Sequence, residues 1–516
     1  GLVSAAALAI GIDVGSTNVK VVALAADGSL AAHRRRPLAT NDRPPICEQD
    51  PEEIWDAVLS GVAECVAEAT IDAPVVGVAP LVTIGVTSQY SSTVPVGPGG
   101  TPAGPLVMWR DRRGTEACHE LLGTPGLFEL WVERHGIPPI GGGLGLAHLL
   151  HLSAEDPGGQ TRFVEVMDGI TARLTGRVTA TRHSMFTSQL CDNRSPEDVS
   201  RAYDPDLLAA SGIDPARLPP LVAPDEPVGT VTADLAARLG VDPASTVAPG
   251  INDTGAVALA TGAEKPRQGG VIAGASIGTT SVLVTSMDHK AEDLDHEILT
   301  MPAPDIGYLV RAENGLGGRV PEAMLALLDG ADEMGETRFA GAEAALASTE
   351  PGAGGVLCLP WLDGSMAPSG SSTARGGFIG VSLSTTRAQL IRATFEGVAH
   401  NLAWLLRHVE AFIGAPVDEI RLTGGGAQVA GWPQIIADVL NRPVRVVAEP
   451  GLAAARSAAL RARHLGSGSD EWSPTPAATS ASLQPNLEAR GVYERQQQAF
   501  ERAFDALIPV LELLNP

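Results

Sequence analysis

The 516 residues are too many for one ordinary hydrophobic core, so the chain is expected to form two domains, or two and an appendage. Apolar residues at 44%, charged residues at 19%, few aromatics (4%) and many glycines (58) and prolines (39) make a globular mix with many turns. Sixty acidic against 36 basic residues give a formal charge of -24, which disfavours nucleic acid and anionic membranes as partners and requires any anionic ligand to find its own local donors.

The start, "GLVSAAALAIGIDVG", has an apolar patch without a basic leader and runs straight into a strand, so neither a signal peptide nor a membrane span is expected. Ile10–Ile12 and Val19–Leu24 read as strands, with Gly15, Ser16 and Thr17 in the turn between them. "ADG" at Ala26–Gly28 reads as a hairpin turn into a third strand from Leu30. A helix with a proline start runs from Pro51. Leu81–Gln89 reads as a buried strand entering a polar loop. Pro105–Arg113 repeats that form, ending in the cluster "WRDRR". Ser245–Ala263 reads as strand, glycine turn and a small-residue helix beginning near Asp253. Next, Gly269–Ser286 holds "SIGTTSVLVT", which aligns without a gap on "DVGSTNVKVV", Gly15 on Gly278, Ser16 on Thr279, Thr17 on Thr280 and Val19 on Val282. Two such turns suggest a duplicated core. A strand, a loop and a long helix from about Thr386 follow. "EIRLTGGGAQVAGWPQIIADVLNRPVRVV" reads as a βαβ-like unit. Leu465–Leu487 reads as a surface linker and the chain ends on an amphipathic helix. The five cysteines (Cys47, Cys65, Cys118, Cys191, Cys358) have no CxxC spacing, so neither a zinc site nor a disulfide framework is indicated and a reducing cytoplasm is the simplest home.

No P-loop or Rossmann fingerprint is present. A strand, not a helix, follows Gly15, which removes the helix-dipole way of holding phosphate. A hairpin turn can still present N–H groups and hydroxyls to phosphate oxygens. Asp13 would then face the phosphate, an arrangement that calls for a cation such as Mg²⁺; by itself the stretch reads equally as a hairpin with an exposed carboxylate. Lys20 follows in the same strand. The glycines of "TGGGAQ", Thr423–Gln428, let backbone approach a ligand closely, or make a tight βα turn. Asp253 stands where a helix-capping residue or a general base would stand. Gln89, Trp109, Asp111 and Arg113 could bind several hydroxyls and cover a carbon face at the carboxyl ends of parallel strands, or form a surface salt-bridge cluster.

Together these pieces resemble the FGGY family of carbohydrate kinases, in the actin-like ATPase superfamily, over nearly the whole chain and in order. "GIDVGSTNVK" and "SIGTT" are similar to the two phosphate motifs and "GINDTG" to the catalytic-Asp motif. Gly376–Glu396 fits the C-terminal signature at Gly380, Gln389, Ala393, Phe395 and Glu396. The adenosine segment has Trp432, Gln434, Ala437, Asp438 and Pro443 in place. The resemblance implies an α/β chain of two RNase-H-like domains flanking a cleft, an N-terminal domain over 1–256, a C-terminal one over 257–464, and a linker and helix over 465–516 packing on the second. It implies MgATP and a sugar as ligands. Gln89, Trp109, Asp111, Arg113 and Asp253 would meet the sugar, and Asp253 would be the catalytic base. Gly15, Ser16, Thr17, Lys20, Gly278, Thr279, Thr280, Gly317, Gly424, Gly425, Gly426 and Gln428 would line the ATP site, and Asp13 would organise the magnesium. A homodimer is admitted.

The chain departs from the family pattern at His148 and His151, where a Lys and a Trp are usual, and at Val429 and Ser457. "SQYSS" lacks the Arg-Glu that glycerol kinases carry after the sugar-loop Gln, so a ketose such as xylulose is expected. The alternatives are another polyol or hexulose, or a catalytically weak sensor on the same fold.

Overall fold

Apolar runs buried on both faces build the centre of each half. In the computed structural model, which describes residues 8–71, 79–197, 201–263, 270–305, 307–329, 336–467, 479–480 and 482–515, β1 (Leu8–Val14), β2 (Asn18–Leu24) and β3 (Leu30–Pro37) form an antiparallel meander. The helix α1 (Pro51–Ala69) starts on Pro51, with the Asp50 carboxylate accepting from the Glu52 N–H, and packs on β2 and β3. Such a cap contributes about 1 kcal/mol. β4 (Val82–Ser88) returns parallel to β1. β5 (Gly229–Thr230), β6 (Thr246–Val247) and β7 (Ile251–Asn252) complete the first sheet, with β6 and β7 both parallel to β4.

The second sheet contains β8 (Ile272–Ile277), β9 (Thr280–Met287), β10 (Glu292–Asp293), β11 (Ile298–Pro302), β12 (Tyr308–Leu316), β13 (Glu419–Thr423) and β14 (Val444–Val446). Its order, β10-β11-β12-β9-β8-β13-β14, contains the run β14-β13-β8-β9-β12, which repeats the β6-β4-β1-β2-β3 run of the first sheet. Each has a central hairpin, parallel strands beside its first arm and an antiparallel strand beside its second. The repeat expected from the two glycine turns is therefore a repeat of topology. The gapless alignment slips, however. Val14 pairs with Val19 across a turn of residues 15–18, whereas Ile277 pairs with Ser281 across residues 278–280. Ser281, not Val282, occupies the place of Val19.

Two further expectations change. Leu106–Val107 is the only part of Pro105–Arg113 that is strand, and it pairs antiparallel with Glu48–Gln49 and Thr93 in a separate five-stranded sheet. Trp109, Asp111 and Arg113 thus do not lie at the carboxyl end of a parallel strand of the main sheet. In the expected linker, residues 465–467 are still helical, 468–478 and 481 lie outside the described residues, and Leu483 exchanges both backbone hydrogen bonds with Val444 (2.9 and 2.8 Å). That segment covers the edge of the second sheet instead of running free over the surface.

Five helices besides α1 position the halves. α3 (Asp253–Thr261) leaves the first sheet and lies on β8, β9 and β13 of the second. α6 (Ala453–Ser467), near the other end of the chain, lies on β1 and β4 of the first sheet and against α3. α6 comes so close that a Cβ on Gly11 or Gly85 would run into the carbonyl oxygens of Ala455 and Ala458. α4 (Arg387–Ile413), the long helix expected from about Thr386, begins with a capping box of Thr386 and Gln389. Phe395 on α4 meets Trp432 on α5 (Trp432–Leu440) edge-on at 4.8 Å. α7 (Arg490–Leu514) packs on α4 and α5. The remaining helix of interest, Gly145–Glu155, is α2, which carries both unusual histidines. All five cysteines are buried. No described helix is long and apolar enough to cross a membrane.

Candidate functional site

Parallel pairing brings three polar residues to neighbouring strand ends. Val14 of β1 stands opposite Ser88 of β4, and Ser88 opposite Asn252 of β7. Asp13, Gln89 and Asp253 therefore issue from adjacent carboxyl ends, the place where parallel sheets bind ligands. Asp253 is the first residue of α3. Its cap, Asn252, accepts from the Gly255 N–H at 2.8 Å and donates its own N–H to His183 Nε2 at 3.1 Å. His183 Nδ1–H donates in turn to the Pro302 carbonyl at 2.9 Å, which fixes the tautomer. Burial, then the charges of Glu313 and Asp13, push the Asp253 carboxyl up to about 7, against the pull of Arg311.

Asp13 is buried and pairs across the ladder with Lys20, Nζ to Oδ2 at 3.3 Å. The Gly15 N–H bonds Asn18 O and the Gly278 N–H bonds Thr280 O, both at 2.9 Å. The Gly15 and Gly278 N–H groups are thus used inside the turns, in which Ser16, Thr17 and Thr279 also lie. The second turn is braced by Gly317 and Gly318, whose N–H groups donate to Thr279 O and Gly278 O at 3.0 and 2.7 Å. Gly424 ends β13 beside this turn, since Ser276 pairs with Thr423. At Gly424, with φ of 89°, a Cβ would strike Ile277 O, whereas Gly425 faces open space. Gln428 is exposed just beyond.

The structure splits the expected sugar set. The Gln89 side chain donates to Gln49 Oε1 at 3.0 Å, and Gln49 donates to Ser16 O at 2.7 Å, tying the loop after β4 to the first glycine turn. Gln89 Oε1, Thr87 Oγ1 and Asn252 Nδ2 are buried with no hydrogen-bond partner among the described residues. Buried polar atoms left dry cost about 1–3 kcal/mol each, so a polyol is a fitting occupant. Asp111 is buried and already accepts from the Cys47 N–H at 2.9 Å, the Arg113 N–H at 3.0 Å and the Arg113 guanidinium. Arg113 Nη2 also holds Glu48 at 2.5 Å. This pair chiefly shapes the loop that carries Trp109, which is half-buried. Arg110 beside it pairs with Asp42 at 3.0 Å and reaches Asp363 of the second half at 3.8 Å.

Four residues escape sequence reading. Tyr90 follows Gln89 directly, and Arg311 and Glu313 project from β12 on one face, charges at period two in a buried strand. The Arg311 guanidinium lies 5.0 Å from the Tyr90 ring centre and contacts Glu313. His183 leaves no signal at all, since only the fold brings it to Asn252. His148 is buried, its pKa pushed down to about 3 by burial, with Nδ1 3.4 Å from Thr93 Oγ1. His151 is half-buried and also lowered. Val429 is a core residue, and Ser457 donates to Ala256 O at 3.0 Å where α6 meets α3.

A magnesium ion fits this donor set. Asp13 would supply one hard oxygen beside the first glycine turn, and no group of three His, Cys, Asp or Glu able to cage a metal occurs among the described residues. An ion held by one carboxylate, phosphates and water matches magnesium's habits.

The model of the N-terminal domain of the FGGY family of carbohydrate kinases matches residues 8–260, and that of its C-terminal domain residues 273–464. A xylulose kinase of Staphylococcus epidermidis is 26% identical over 513 residues, 96% of each chain. A glycerol kinase of Trichlorobacter lovleyi is 30% identical over 451 residues, 84% of this chain and 85% of that one. The crystal structure of a gluconate kinase from Lactobacillus acidophilus superposes with a TM-score of 0.83 at 20% identity, over 97% of this chain and 98% of that one.

Proposed function

The chain belongs to the FGGY family of carbohydrate kinases, ATP-dependent phosphotransferases with an alcohol acceptor, and from that premise we propose that its acceptor is a neutral ketose, a pentulose such as xylulose. The observation that carries this reading is the convergence of Asp13, Gln89 and Asp253 at the carboxyl ends of β1, β4 and β7. Asp253 takes the proton from the attacking hydroxyl. A carboxylate pushed up to about 7 is matched to that task near neutral pH. Gln89 orients the sugar chain, and Ser16, Thr17 and Thr279 bind phosphate oxygens with N–H groups and hydroxyls. Gly424–Gly426 leave room on the adenosine side, and Gln428 borders it. Lys20 balances Asp13 and faces the same phosphates. Magnesium, when bound, would neutralise charge on the transferring phosphoryl group, with Asp13 holding it directly or through water.

The neutral acceptor follows from charge. Asp13, Asp253 and Glu313 crowd the floor, and the nearby guanidinium of Arg311 already contacts Glu313. A sugar acid would bring a further negative charge to that floor. The S. epidermidis xylulose kinase matches over 96% of each chain, and the Arg-Glu of glycerol kinases is missing after Gln89.

Coupled ADP release across pentuloses, hexuloses, alditols and gluconate tests the acceptor. Turnover highest on a pentulose is expected, and a preference for gluconate or glycerol overturns the assignment. Asp253→Asn tests the base. The rate should fall at least ~10²-fold with ATP binding retained, and a near-unchanged rate would remove Asp253 from the role.

A further inference from the structure

Arg311 comes from the second sheet yet ends against the first half. Its guanidinium lies 5.0 Å from the centre of the Tyr90 ring, and Tyr90 is the residue after Gln89. One arm of the guanidinium, Nη2, contacts Glu313. The Nε atom is buried and has no hydrogen-bond partner among the described residues. Gln89, the residue before Tyr90, has its Oε1 buried in the same condition. An unpaired donor on the side chain that lies over Tyr90 and an unpaired acceptor on the adjoining residue are thus both buried, and Arg311 acts electrostatically on Asp253.

We propose that Arg311 is a specificity-determining residue of the sugar site, donating from Nε to the carbonyl oxygen of a ketose lying between it and Gln89, and so favouring ketoses over the corresponding alditols. This rests on the ketose reading above. A guanidinium has donors only, and a carbonyl oxygen accepts only, so the pair leaves nothing unmatched. An alditol hydroxyl would accept there too, but its proton would need an acceptor of its own beside a cation and an aromatic face. A carboxylate would also accept, but it would enter beside Glu313, Asp253 and Asp13. Gln89 Oε1 takes a hydroxyl proton of the same chain. Because the donor belongs to the second sheet, acceptor choice is completed only where the two halves meet.

The test compares kcat/KM for D-xylulose and xylitol in the unmodified protein, in Arg311→Lys and in Arg311→Met, with melting temperatures as a check of folding. Lysine keeps the positive charge over Tyr90 and loses the Nε–H. The ketose-to-alditol ratio should fall about 10-fold or more in both variants, through a raised KM for the ketose. Equal losses on both substrates, or a wild-type ratio in Arg311→Lys, overturn the proposal. Failure of the unmodified protein to phosphorylate any ketose overturns the ketose reading itself and this inference with it, and that outcome is read without any variant.

Discussion

At the scale of single residues, the site is a collection of groups whose environments disagree with their ordinary chemistry. Asp253 is held up to about 7 by burial and by two carboxylate neighbours. Its sign follows directly. The base acts when deprotonated, so kcat/KM for the sugar should rise with pH through the region near 7 and level off above it. Glu313→Gln removes one like charge and should move that limb to lower pH. A pH profile checks this, and a limb that stays in place or moves upward contradicts the assignment. The same shift has a stability face. An acid with a folded pKa above its unfolded value loses stability as pH rises through that interval. Asp253→Asn should therefore raise the melting temperature of the nucleotide-free protein at pH 8, while the rate collapses. Other residues that looked diagnostic in the sequence prove structural. Glu396 accepts from Arg392, the Tyr493 hydroxyl and the Gly352 N–H at 2.6, 2.7 and 3.0 Å, and Asp438 from Gln434 and the Asn486 N–H. These signature positions hold α4, α5 and α7 together. Asp13 and Asp253 were legible because each adjoins a glycine turn. Arg311 and His183 were not, because their partners are distant in sequence and only the fold brings them near.

Among the elements, the hairpins and α6 decide how close the halves come. Residue periodicity was sufficient to read β1, β2, α1, β4 and α3, whose apolar patterns are long and punctuated by Gly, Pro or Asp. It failed at Pro105–Arg113, where two strand residues carry too little pattern to reveal which sheet they join. It also failed at the turn beginning with Gly278, where one fewer loop residue shifts the ladder without altering the string of small and hydroxyl residues. The placement of α6 on the first sheet was likewise invisible, because its alanines would suit any close helix contact. That contact is demanding. Ala455, Ala458, Ala459 and Ala462 of α6 face Gly11 and Gly85, and a methyl group at Gly85 has no space. Gly85→Ala should cost on the order of 2–3 kcal/mol, as overpacking of a rigid contact does. A urea midpoint measures the loss. Gly28→Ala provides the comparison, at a hairpin turn with positive φ where nothing lies within 4 Å of the added methyl. Its cost should reflect backbone strain alone, about 1 kcal/mol. If the two variants are equally stable, α6 does not approach the sheet as closely as described.

For the whole molecule, the question is how two separate sheets act as one enzyme. Two helices, α3 and α6, each join one half to the sheet of the other, and Arg461 sits close to where they meet. Arg461 on α6 is nearly fully buried. It donates to Pro249 O at 3.1 Å and Pro224 O at 2.5 Å in the first half, and to Pro304 O at 3.4 Å and Asp305 at 3.0 Å in the second. No neutral side chain can satisfy so many acceptors from both halves at once. Arg461→Leu leaves these oxygens buried and unpaired, and about 2–4 kcal/mol of stability should be lost. The more informative consequence concerns water. With Asp253 as the proposed base, water must be kept from taking the place of the sugar hydroxyl, and halves held in register around the acceptor would do so. Loosening Arg461 should therefore raise the ratio of ATP hydrolysis to sugar phosphorylation, measured as ADP formed against sugar phosphate formed under conditions where the variant remains folded. A variant that loses stability while keeping the wild-type ratio would show that Arg461 braces the fold and nothing more. A raised ratio would place part of the control of water at the crossing of α3 and α6, on a residue outside those assigned to sugar and phosphate.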